Sequence, residues 1–288
     1  PQNRSHKMLA RCSTLTHRAA GRMSLPAVSR VNRLSAARGL SAKAMTPDEA
    51  MSAPTTTEDA GPNRFVVTGE VLVSKIFPAG FGWQAASVVA GQQGYEADSL
   101  AFALTTGAGD FAGVLAGHSA YSVLKNMTGN GGGMKNDLVA GLWLATAAFC
   151  SGTAWQPTVN FLHDAAGCNW MQTAVGCGAV TGACFFGGLR AGRVLFAPLG
   201  LPGADYPNLC GDALLSVSIG AATGTFVGTD ITFADNPLVS IFGVTDNMSD
   251  VEGMVRAGSS TFAGFLCMQS LQNVLLPKNA NWIDPVKF

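Results

Sequence analysis

The sequence predicts an all-α integral membrane protein of six transmembrane helices, with five as the alternative count, arranged as three two-helix repeats. Three observations predict it. Charged residues make up 12% of the chain and apolar residues 48%, whereas soluble domains carry about 25% charged residues. Long, largely apolar runs recur at the length of about 20 residues that crosses the hydrocarbon layer as a helix. Glycine, with 35 residues, falls at four-residue spacing inside those runs. Such a stripe is smooth on a helix and lets a second helix approach backbone to backbone in lipid.

Charge is unevenly placed. Residues 1–45 hold nine basic residues and no acid; after them, nine basic face eighteen acidic residues, a net of −9. Nothing there points to a nucleic-acid partner. Met8 is the natural start, and Met8–Lys43 is rich in Arg, Ser and Ala without the apolar core of a secretory signal. Residues 1–43 are therefore expected to be an organellar targeting presequence. Arg38-Gly-Leu-Ser41 resembles a matrix-processing site, so removal is expected near Leu40–Ser41. The expected address is the mitochondrial inner membrane, with a plastid membrane as the alternative. Residues 44–64, rich in Pro, Thr and acid, read as a disordered linker. The polytopic membrane domain is expected over 65–276 and a C-terminal tail over 277–288.

Within that domain Ser99–Leu124 is the clearest span, with one acid and one histidine. Phe65–Ala90 before it is ambiguous: FVVTGEVLVSK alternates weakly like a strand, and KIFPAGFGWQAASVVA reads as a proline-broken span. Glu96 and Asp98 mark a turn. Met127–Asp137 is a glycine-rich loop whose GNGGG lacks the GK[ST] ending of a phosphate loop. Leu138–Leu162 is the second span, closed by His163-Asp164, and Trp170–Phe196 the third. After the proline-rich loop Pro198–Pro207, Ala213–Phe233 is the fourth. The acidic stretch Ala234–Glu252 leads to Met254–Leu276, the fifth, which Pro277 stops.

Two patterns favour counting residues 65–90 as a sixth. With the N-terminus inside, Arg64, Lys125, Lys135, Arg190, Arg193, Lys278 and Lys287 fall on one side; Arg256 falls opposite with Glu96, Asp98, Asp164, Asp246, Asp250 and Glu252. That is a positive-inside bias. An internal repeat is the second pattern. Ala112-Gly-Val-Leu115, Phe186-Gly-Gly-Leu189 and Ala263-Gly-Phe-Leu266 recur at spacings of 74 and 77, and Trp83-Gln84 matches Trp155-Gln156. Three helical hairpins behind a mitochondrial leader superficially resemble the mitochondrial carrier family. Its Px[DE]xx[KR] signature is absent, and the nearest text, Pro157-Thr-Val-Asn160, holds neither acid nor base. No family is assigned.

Asp110 and His118 share one helix, about 12 Å apart along its axis and roughly 80° around it. They are too far apart to pair and read as two stations on a polar track, or as separate structural bonds, His118 then reaching Tyr121. Arg190 near the end of its span is expected to snorkel, to neutralise Asp110, or to offer a site for a carboxylate or phosphate. Gln156, Asp230 and Gln269 complete the set expected to line a transport path; the same polar groups otherwise cross-link helices. Gly109, Gly113 and Gly117, and Gly220, Gly224 and Gly228, are the expected packing stripes. The seven cysteines form no CxxC or metal-spaced cluster, and no nucleophile–base set or nucleotide loop occurs. Neither cofactor nor metal is expected, and an enzyme is the least supported class. The expectation is an organellar inner-membrane transporter or channel for a small solute or ion. The competing expectation is an accessory subunit of an inner-membrane complex. The bilayer is the expected partner in both, with a homo-oligomer or larger assembly around the chain.

Overall fold

A computed structural model describes residues 69–129, 134–201, 209–229 and 248–275, all within one compact unit, Thr57–Phe288. The expected presequence with its cleavage point, the linker and the C-terminal tail lie outside the described residues. The described residues contain helices and no strands. A π-helical turn, Leu72–Ile76, leads into α1 (Phe77–Gln92); then come α2 (Leu100–Met127), α3 (Met134–Asn160), α4 (Trp170–Phe196), α5 (Leu209–Gly228) and α6 (Asp250–Leu275). A second π-helical turn, Phe161–Ala165, extends α3.

The weak strand-like alternation before Lys75 is overridden: the chain is helical from Gly69 onward. Pro78 does not break this helix either. It stands in the first turn of α1, just after the wider π turn, where its missing N–H costs least. Pro157 lies inside α3, four residues before the second π turn.

Helix starts follow their caps. Ser99 caps α2 by accepting the Phe102 N–H at 3.1 Å. Asn169 opens α4 with a capping box, its side chain accepting from the Gln172 N–H while Gln172 accepts from the Asn169 N–H. Asn169→Ala should lower stability by about 1 kcal/mol, read as a small drop in melting temperature in detergent. Ser249 and Glu252 form the matching pair before α6; the Ser249 N–H and hydroxyl donate to the Glu252 carboxylate and hold its carboxyl below the usual carboxylate range. Gly94 and Gly167, in the links after α1 and α3, take φ of 76° and 66°, a region other residues rarely enter.

Each helix packs on the next in sequence, and α6 packs on both α5 and α1, so the six close into a ring. Neighbours run antiparallel, as the glycine contacts reveal. Gly109 meets Gly82, Gly113 meets Pro78 and Gly117 meets Ser74, so numbers rise on α2 as they fall along α1 and its π turn. On α4 and α5, Gly178 meets Gly220, Gly182 meets Ser216 and Gly224 meets Ala174 in the same way. Gly188 and Gly192 of α4 lie against Ala147 and Trp143 of α3, and Gly80 of α1 against Ala257 of α6. At most of these points the neighbouring atom is backbone, which leaves no room for a side chain. Gly228 is buried at the end of α5.

Besides an apolar core that includes Trp143, Leu189 and Phe265, the described residues carry apolar side chains on the outside and polar ones inside. Val175, Val194, Leu195 and Val274 are each more than 60% exposed, while Asp212, Ser218, Thr106, Thr173 and Thr181 are fully buried. Among the described residues, four helical segments are long and apolar enough to cross a membrane: Leu100–Met127, Met134–Ala165, Trp170–Leu199 and Leu209–Gly228. The described residues form an all-helical fold compatible with a helical membrane protein.

Candidate functional site: a cavity inside the helix ring

The ring holds a partly open cavity of about 120 Å³ to which all six helices contribute. Its walls are largely apolar, with Val114, Leu144, Leu215, Ile219 and Phe265 among them. Polar groups enter at few points: Lys75, Asp110, Ser151, Thr223, Thr261 and Gln269.

Asp110 reaches this space from the middle of α2. Its carboxylate lies against Gly152 of α3, where an added methyl group would stand 2.8 Å from Oδ2. Among the described residues no hydrogen bond or ion pair to Asp110 forms. Beside it, the Trp83 indole donates to the Gly152 carbonyl at 3.3 Å. Trp83 and Trp155 meet edge to face at 4.3 Å, and Trp155 stacks on Phe226 at 5.1 Å. Three rings, one each from α1, α3 and α5, thus meet at one level of the bundle. Trp155 Nε1 and Ser151 Oγ are buried without a hydrogen-bond partner.

Other expected site residues are placed elsewhere. His118 is buried between α2 and α3, its Nε2–H donating to the Asp137 carbonyl at 2.7 Å. Asp137 in turn accepts from Ser122 and Asn126. Arg190 pairs with Asp212 of α5 at 3.2 Å, not with Asp110. Arg193 takes the same Asp212 with two bonds, Nε to Oδ2 at 3.1 Å and Nη2 to Oδ1 at 2.8 Å, while lying over the Trp143 ring. Gln156 donates to Asn160 one turn on, and Asn160 to the Ala97 carbonyl in the α1–α2 link. Gln269 lines the cavity but spends its amide on Ser218 and Gln272, tying α6 to α5. Asp230 lies outside the described residues. Of the described members of the expected set, Asp110 and Gln269 reach the cavity and His118, Gln156 and Arg190 do not.

No protein-family model, curated protein or solved structure matches the chain. The geometry alone carries the functional reading.

Sequence reasoning passed over Lys75, Ser151, Phe226 and Asp212. Lys75 sits in the segment whose strand-like alternation hid its helical face. Ser151 and Phe226 look like ordinary contents of apolar runs. The recurring Trp-Gln text at Trp83-Gln84 and Trp155-Gln156 singles out the two indoles, while their contact follows from helix packing.

Proposed function

We propose that the chain is a translocator for a small solute or ion, with all six helices crossing an organellar inner membrane and the central cavity as the binding station. The observation that carries this reading is Asp110, a carboxylate inside the ring with no protein partner among the described residues. A charged group within a membrane domain is costly unless function retains it. The positive-inside pattern and the acid-free leader support the orientation and the address, mitochondrial before plastid. Among the described residues the two ends of the ring differ in net charge: Lys75, Lys125, Lys135, Arg190 and Arg193 stand with Glu70, Asp137 and Asp212 at one, and Glu96, Asp98, Asp164, Asp250 and Glu252 with Arg256 at the other.

The test is flux through reconstituted liposomes, followed by light scattering after mixing with ammonium chloride, methylammonium chloride, potassium chloride, urea or glycerol. At least one probe should enter faster than into protein-free liposomes. Asp110→Asn keeps shape but removes the charge, and should cut that flux by about tenfold or more, since intramembrane carboxylates mark solute paths. Entry no faster than the protein-free control for every probe would remove the reading.

One observation favours the accessory-subunit reading. A shallow apolar groove runs along α4 and α5, lined by Val175, Ala179, Phe186, Val217 and Ala221 over the glycine stripes. Native mass in mild detergent separates the two readings: a stable hetero-complex with no flux supports the subunit.

A further inference from the structure

We propose that the central cavity binds a small organic ammonium ion with an apolar body, its charge held by Asp110 and its flank by Trp83 and Trp155; this rests on the translocation reading above.

Size comes first. A cavity of about 120 Å³ is close to the roughly 150 Å³ site that takes benzene in a protein core, which sets an occupant of about six heavy atoms. The walls contributed by Val114, Leu144, Leu215 and Ile219 offer such a molecule no hydrogen bonds, so most of its surface is hydrocarbon.

Sign of charge comes next. The carboxylate of Asp110 faces apolar surroundings and requires a cation, water or a proton. Lys75, the other charged group on the cavity wall, does not form an ion pair with it. Gly109 packs on Gly82 and Gly117 on Ser74, so Lys75 stands about 10 Å below the Asp110 turn along the helix axis. Lys75 donates instead to Ser74 Oγ at 3.0 Å.

The aromatic wall supports the same sign. Trp83 is tied to Gly152, the residue on which the Asp110 carboxylate rests, so carboxylate and indole converge at one point of α3. Trp155 stands at 68° to Trp83, and both indoles line the cavity, where ring electrons attract cations. Arg256 lies over Phe226 at 5.2 Å, so recognition of a ligand cation falls to the two indoles.

Two buried polar atoms independently point to an occupant. Ser151 and Trp155 line the cavity at 1% and 4% exposure, and neither Ser151 Oγ nor Trp155 Nε1 has a partner. Buried polar groups are nearly always bonded. An ammonium N–H donates to Ser151 Oγ while its charge faces Asp110. The Trp155 N–H is met by a water beside the ligand.

The experiment uses the purified full chain in mild detergent and three probes of matched shape: isoamylammonium, isoamyl alcohol and isovalerate. Titration is read by calorimetry and by tryptophan fluorescence. Isoamylammonium should bind saturably, at least about tenfold tighter than the alcohol or the acid anion. Asp110→Asn should lose about tenfold or more in affinity for the ammonium while leaving the alcohol unchanged. Gly152→Ala, which pushes a methyl group against the carboxylate, should weaken the ammonium in the same direction. It also decides the matter if Asp110→Asn does not fold. Equal binding of alcohol and ammonium, full affinity in the folded variants, or no saturable binding of isoamylammonium overturns the assignment. Ammonium binding without flux into liposomes keeps the assignment and removes translocation. Flux dependent on Asp110, without ammonium binding, does the reverse.

Discussion

Asp212→Ala should destabilise the helix ring by about 3–5 kcal/mol, the range for removing one member of a buried ion pair. The carboxylate is fully buried, and both its oxygens are engaged by arginines of α4. Arg193 is 5% exposed and lies over the Trp143 ring at 4.8 Å, and the Trp143 N–H donates to the Leu189 carbonyl at 2.8 Å. Without Asp212 that guanidinium keeps its buried position and loses both charge-assisted bonds. Arg190 is different. Its side chain is 37% exposed, so Arg190→Gln should cost about 1 kcal/mol or less, as exposed pairs do. Replacing the buried pair together, Asp212→Leu with Arg193→Met, should recover much of the loss because no charge is then stranded. Melting curves in one detergent rank the three variants. If Arg190→Gln falls further than Asp212→Ala, the buried bidentate pair is not what joins α4 to α5.

This pair also marks where sequence reasoning stops. The arginines are visible as charges near the end of an apolar run, and their exposure is a matter of local chain geometry. Their partner is not local. Asp212 lies nineteen residues beyond Arg193, just ahead of the span expected from Ala213. It is buried in the first turn of α5, which starts at Leu209. A helix start fixes the rotation of the side chains that follow, and the apolar pattern alone does not set it.

The same division holds at the cavity. Run length and glycine content make the helices legible over most of the domain, because they depend on residues a few positions apart. The start of the first helix is less so, since a π turn shifts its register between Gly69 and Phe77. Asp110 stands out as a lone acid in an apolar run. His118, read with it as a second station, lies eight residues further and therefore on a different face, toward Asp137. Which polar residue points inward depends on how all six helices are rotated about their axes. That information resides in contacts such as Gly109 with Gly82 and Gly188 with Ala147, between residues tens of positions apart.

Those glycine contacts yield the other large effect. Gly113→Leu should destabilise by at least about 1–3 kcal/mol, the usual cost of overpacking a filled interface. The reason is specific: the first carbon of any side chain at Gly113 overlaps the Pro78 carbonyl oxygen, with the Ala79 backbone just behind. Backbone cannot rotate away as a side chain does, so α1 and α2 must separate along their shared seam. Gly82 on the facing helix is equally tight against the Gly109 carbonyl, so the strain has no empty space to enter. Gly113→Ala tests the contact with a single methyl group, and it competes with a gain of about 1 kcal/mol from better helix propensity. Gly187 supplies the control. It is exposed on α4 with nothing within 4 Å of an added methyl group, so Gly187→Ala keeps only the propensity gain and should match or exceed the wild-type melting temperature. The ordering Gly187→Ala, wild type, Gly113→Ala, Gly113→Leu is therefore expected from most to least stable. A Gly113→Ala variant as stable as Gly187→Ala would mean that α1 and α2 do not meet backbone to backbone.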